Sequence, residues 1–194
     1  MNELDDTTWE ERPPGDSARL RQLGMWLFLA ALTMLFAAGM LGYVLIRARA
    51  GGPPAGSIRL PAGLWVSTVI IVTSSLCIQQ AVQAARTGTP TQLRRWLSAT
   101  WMLALGFLAV QIPCMVILLK SHKGLPLYGL LFFLILLHAA HVLGGLVALG
   151  AVSIGSARAA SAAARFSAVK RTAMYWHFLD GVWLILFATL LVGG

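Results

Sequence analysis

Two segments carry ionisable side chains where nearly everything around them is apolar. In "LLHAAHVLGGL" (136–146) His138 and His141 stand three residues apart, and in "YWHFLDGVWLILF" (175–187) His177 and Asp180 repeat that spacing. On a helix, a separation of three puts both members of each pair on one face. Three kinds of chemistry suit such a set. Imidazoles converging from two helices can ligate a metal or bracket a haem iron, and His141 with His177 is the pair that would do so. Histidine and aspartate can titrate in turn and carry protons. The third use is structural: an imidazole donating to a carboxylate removes most of the cost of burying either group. Spacing alone does not choose among them.

These residues need a frame that crosses a membrane. The chain has 194 residues, of which 58% are hydrophobic and 11% charged, and its mean hydropathy is +0.75. That composition excludes an ordinary soluble domain. A bilayer core takes about 20 apolar residues per helix, and runs of that length recur near 23–46, 64–85, 97–119, 125–152 and 172–192. The expected fold is all-α, a polytopic membrane protein with five transmembrane helices. Between the runs lie "RARAGGPPAGSIRLPAG", "RTGTPTQLRR", "KSHKGLP" and the Ala/Ser/Arg-rich 153–171. The first three break a helix through Gly and Pro, and the last has the composition of a short interfacial helix. Residues 1–22 read as a polar, mobile tail, and 23–194 as the transmembrane domain, without internal repeats.

Charge orients the spans. Six of the seven acidic residues fall in the first sixteen positions, and Asp180 is the only carboxylate after them. The N-tail, second loop and fourth loop together hold ten Lys and Arg, against five on the other side. The positive-inside rule therefore puts the N-terminus in the cytoplasm and the C-terminus outside. The formal charge of +8 then matches loop arginines facing anionic headgroups rather than nucleic acid, with Arg94, Arg95, Arg158 and Arg171 as headgroup contacts. The N-terminus is acidic where a signal peptide would be basic, so insertion is expected to use the first helix itself. Cys77 and Cys114 lie inside apolar runs and suggest packing, not a disulfide. Gly-rich phosphate loops, nucleophile elbows, CxxC pairs and paired carboxylates are absent, which argues against autonomous hydrolytic or nucleotide chemistry.

Depth follows from the helical rise. His141 and Asp180 each fall roughly 12 Å below the cytoplasmic boundary. Consecutive helices are usually neighbours, so a His141–Asp180 pair is expected. Ala140, Gly144 and Ala148, at i, i+4 spacing, form a small-residue stripe for close helix packing. Ser67, Thr68, Thr73, Ser74 and Ser75 in "STVIIVTSSL" are expected to bond their own helix carbonyls. Gln79, Gln80, Gln83 and Gln111 are expected to bridge helices. Trp65, Trp96, Trp101 and Trp176 read as interfacial belt residues, with Trp26 and Trp183 deeper.

Taken in order, "GMWLFLAALTMLF" (24–36), "STVIIVTSSL" (67–76), "LLHAAHVLGGL" and "YWHFLDGVWLILF" resemble subunit III of the haem–copper cytochrome c oxidases, with matching spacing from residue 24 onward. The five-helix count resembles the short bacterial form, which lacks the first two helices of the seven-helix version. The resemblance implies a subunit of a proton-pumping oxidase in the bacterial cytoplasmic (inner) membrane, with no catalytic centre, haem, copper or other metal of its own. Haem and copper would sit in the catalytic subunit I, with subunit II as a further partner and a larger respiratory supercomplex around them. It also implies bound phospholipid in a cleft between helix groups, and support for assembly, proton uptake and turnover stability. By position, His138 and His141 fill the family's two-histidine motif, and His177 and Asp180 its "YWHF.D" motif. The chain departs from the family at Leu32 and Cys114, where glutamates are usual, and at Ser67, where asparagine is common. These departures count against a carboxylate-linked proton-buffering role for the interior. Two alternatives stand beside this reading: the related accessory membrane protein of nitric oxide reduction, and a b-type haem electron carrier with His141 and His177 as axial ligands.

Overall fold

Proline opens three of the five helices. Its missing N–H falls where a helix has no partner to offer, and its fixed φ suits the first turn. The computed structural model describes residues 14–49, 62–121, 126–158 and 161–193. They form α1 (Pro14–Arg49), α2 (Gly63–Arg86), α3 (Pro90–Ser121), α4 (Pro126–Arg158) and α5 (Ala162–Gly193), each long and apolar enough to cross a membrane.

The helices outrun the apolar stretches that announce them. α1 begins at Pro14, so residues 14–22 are helical, while 1–13 lie outside the described residues. α4 and α5 absorb most of 153–171, leaving no separate interfacial helix among the described residues. Hydropathy marks the bilayer crossing, whereas helical hydrogen bonding continues beyond it until a breaker intervenes. Between α2 and α3 that breaker is Gly88, at φ +71. Its left-handed backbone lets Thr89 N–H reach Ala84 O at 3.1 Å, closing α2 with a Schellman cap before Pro90 starts α3. α5 starts behind Ser161, whose Oγ accepts from Ala164 N–H at 3.2 Å.

α2 packs on α3 and α5, and α4 packs on the same two, so these four helices close a ring. α1 stands outside it and, among the described residues, touches only α4 and α5. Where α2 and α4 end and α3 and α5 begin, the core is built from small residues such as Ala81, Ala84, Ala104 and Ala173 around Leu97, Leu149 and Trp176. Arg86, Arg94, Arg95, Arg165, Lys170 and Arg171 gather at this basic end. Arg94 and Arg95 are exposed and Arg171 is half-buried, while the Arg158 side chain lies outside the described residues.

α4 turns a different face inward from the one its small residues suggest. Ala140 and Gly144 are exposed and Ala148 is half-buried, while His138, Val142, Gly145 and Leu149 point to the interior. Gly145 is the point of closest approach: a Cβ there would lie 3.1–3.2 Å from Trp176, Leu179 and Tyr175 of α5. Small residues occur on several faces of α4, and the bulky side chains of α5 decide which face it meets.

Candidate functional site

The polar groups of the interior concentrate on the α2–α5 contact. Trp176 and Trp183 are seven residues apart, and so share one stripe of α5. Trp183 Nε1 donates to Thr68 Oγ1 at 3.1 Å, and Trp176 Nε1 donates to Ser74 Oγ at 3.0 Å. His177 continues the seam, with Nδ1 2.6 Å from Ser75 Oγ and Nε2 3.3 Å from Gln79 Oε1. Ser67, Thr68 and Thr73 also bond to carbonyls of their own helix, as their residue types suggest. Thr68 combines both roles: it donates to Leu64 O at 2.8 Å and still accepts the indole. The pairing of hydroxyls with indoles is absent from the sequence reading. No equal interval announces it: the accepting hydroxyls Thr68 and Ser74 are six residues apart, whereas Trp176 and Trp183 are seven apart. Trp176 is accordingly a buried core residue rather than part of an interfacial belt.

The four ionisable residues do not meet as one cluster. His138 is 1% exposed and enclosed by rings: it stacks on Trp183 at 5.7 Å and meets Phe36 and Phe107 edge-on at 6.3 and 6.4 Å. Neither of its nitrogens has a hydrogen-bond partner. His141 is half-buried toward α1, with Nδ1 2.7 Å from Leu137 O on its own helix and the ring 5.6 Å from Phe36. The expected His141–Asp180 pair does not form. Asp180 lies between Trp176 and Trp183 on the stripe of α5 that faces α2, and both of its oxygens are buried without a hydrogen bond. The Ser75 hydroxyl lies alongside but is directed at His177. His141 and Asp180 point to different neighbours, the first toward Phe36 of α1 and the second toward α2.

His177 is exposed at the bundle surface rather than buried, and its two nitrogens both face α2. It therefore does not converge with His141 on a common atom. Among the described residues no three His, Cys, Asp or Glu side chains are placed to hold a metal ion. Gln79 bridges helices as expected, whereas Gln111 is buried with both amide atoms unpartnered. No side-chain hydrogen bond links His138, Gln111 and Asp180, so they form no relay by direct contact. The geometry locks helices together more than it assembles a reactive centre. Leu32 and Cys114 are both buried in the apolar core, where a carboxylate would need a partner.

Comparison with known proteins fits this arrangement. A family model described as cytochrome c oxidase subunit III matches residues 18–194. Cytochrome c oxidase subunit 3 of Corynebacterium diphtheriae is 33% identical over 176 residues, covering 87% of this chain and 85% of that protein. A "probable cytochrome c oxidase subunit 3" of Mycobacterium tuberculosis is 32% identical over 174 residues, with 87% and 85% covered. Cytochrome c oxidase subunit 3 of Bacillus subtilis is 28% identical over 181 residues, with 89% and 86% covered. The match spans all five helices and the α2–α5 seam, and the chain belongs to the cytochrome c oxidase subunit III family.

Proposed function

We propose that this multi-pass membrane protein is the third subunit of a bacterial haem–copper cytochrome c oxidase, seated in the cytoplasmic membrane beside the catalytic subunit and carrying no catalytic centre itself. The observation that carries this reading is the family match along residues 18–194. The polar interior supports it, because the donors and acceptors of the α2–α5 seam are directed at one another rather than at an open reaction site. Haem and copper then belong to subunit I, with subunit II as its neighbour, and this chain acts on assembly, proton uptake and the lifetime of turnover. Phospholipid fits the same role. The exposed Arg94 and Arg95 suit headgroups, and an apolar groove of about 360 Å³ between α1 and α5, lined by Phe36, Met40, Phe178 and Ile185, suits an acyl chain. Nothing in the geometry favours a b-type haem carrier, because His141 and His177 face different helices. Association with nitric oxide reduction would use the same fold, and the identity of the partner separates the two.

Removing the chain from the assembled oxidase tests the role. We expect slower oxygen consumption and a shorter active lifetime over repeated turnovers, with the haem spectrum of the remaining subunits unchanged. Identical rates and lifetimes would confine the chain to assembly, and a lost haem band would place a cofactor in it.

A further inference from the structure

The outward stripe of α2 changes character along its length. From Trp65 through Val66, Val69, Val72 and Leu76 it is apolar and exposed, as a lipid-facing helix should be. Over the next two turns it becomes Gln79, Gln80 and Gln83, all exposed. His177 of α5 is exposed beside them and bonded to Gln79 at 3.3 Å, so the four side chains form one patch across two helices. Gln79 lies seven residues inside Arg86, a depth of about 10 Å along the axis. The outward faces of α3 and α4 at comparable depth are apolar, with Met102 and Leu105 on one and Val147 and Ala151 on the other. The His177 ring is already satisfied by Ser75 and Gln79, but glutamine amides facing acyl chains have hydrogen-bonding capacity that lipid cannot meet and a neighbouring helix can.

We infer that this α2–α5 face is where a transmembrane helix of another oxidase subunit docks, presenting hydrogen-bonding side chains toward Gln79, Gln80 and Gln83 and aliphatic ones toward Leu76 and Val69. The inference rests on the oxidase reading and adds which face carries the contact. The occupant is a helix rather than lipid because the polar patch and the apolar stripe share one helical line. A continuous partner helix satisfies both halves, whereas a phospholipid headgroup cannot sit two turns inside the bilayer. Thr33 of α1, which lies across a groove from His177, already donates to Leu29 O and adds no competing demand.

Site-specific photo-crosslinking in the native membrane tests it. A benzophenone amino acid is placed at position 76 or 83 on this face, and at 102 or 147 on the other two. The expected result is a product from 76 and 83, identified by mass spectrometry as this chain joined to another oxidase subunit, at several-fold higher yield than from 102 and 147. Products confined to 102 and 147, adducts with phospholipid only, or a product with a second copy of this chain would each overturn the inference. Failure of the underlying reading is separable: a tagged but unmodified chain would then not copurify with oxidase subunits at all. In support, Q79L/Q83L should reduce retention in the detergent-solubilised complex by several-fold while membrane levels of the chain stay at the unmodified value. Retention equal to the unmodified chain would also count against the inference.

Discussion

Gly145→Leu will loosen α4 from α5, while Gly144→Leu, one residue away, will not. Both substitutions gain helix propensity, about 1 kcal/mol relative to glycine. At 145 that gain is overwhelmed, because even a Cβ would stand 3.1–3.2 Å from Trp176, Leu179 and Tyr175, and a full leucine must displace them. Overpacking of this kind costs typically about 1–3 kcal/mol. Moving Tyr175 also threatens its hydroxyl's 2.9 Å bond to His141 O, the polar tie between these two helices. At 144 the nearest neighbour of an added Cβ is the Tyr175 hydroxyl at 3.7 Å, and the face is open. Unfolding by SDS titration in mixed micelles should therefore show a lowered midpoint for Gly145→Leu and an unchanged or raised one for Gly144→Leu. The reverse order would mean that α4 packs through the 140/144/148 face after all.

Trp183→Ala will cost far more than Trp183→Phe. Trp183 is fully buried and touches three rings, stacking on His138 and Phe187 and meeting Phe107 edge-on at 5.4 Å. Truncation leaves a cavity among them, at about 3–5 kcal/mol for a large aromatic. Phenylalanine keeps most of the contact and forfeits the indole's bond to Thr68, worth about 0.6 kcal/mol for a typical side-chain hydrogen bond within a membrane. The same SDS titration reads both variants, and Thr68→Val should match Trp183→Phe. Equal losses for Ala and Phe would show that the indole bond, not the packing, holds the seam.

What the sequence discloses depends on whether a feature is set by one helix or by two. The five crossings were legible because the length of an apolar run is a property of the segment alone. So was the spacing of His138 with His141 and of His177 with Asp180. Azimuth was not legible: depth along the axis puts His141 and Asp180 at one level, but rotation about it is fixed by neighbours, which turn Asp180 toward α2 and His141 toward α1. The same ambiguity misplaced the close approach by one residue, at Gly144 rather than Gly145, because two adjacent glycines share a composition but not a face. Hydroxyls on α2 that bond their own carbonyls gave no hint that Thr68 would also receive an indole, since that depends on the register of α5.

Purification through a tag on this chain, from its native membrane in mild detergent, tests the central claim most directly. The account predicts that the chain brings down a large haem- and copper-containing oxidase subunit, and that the haem stays with that subunit when the two are separated. Recovery of the chain alone, with a nitric oxide reductase, or with haem bound to itself would contradict it.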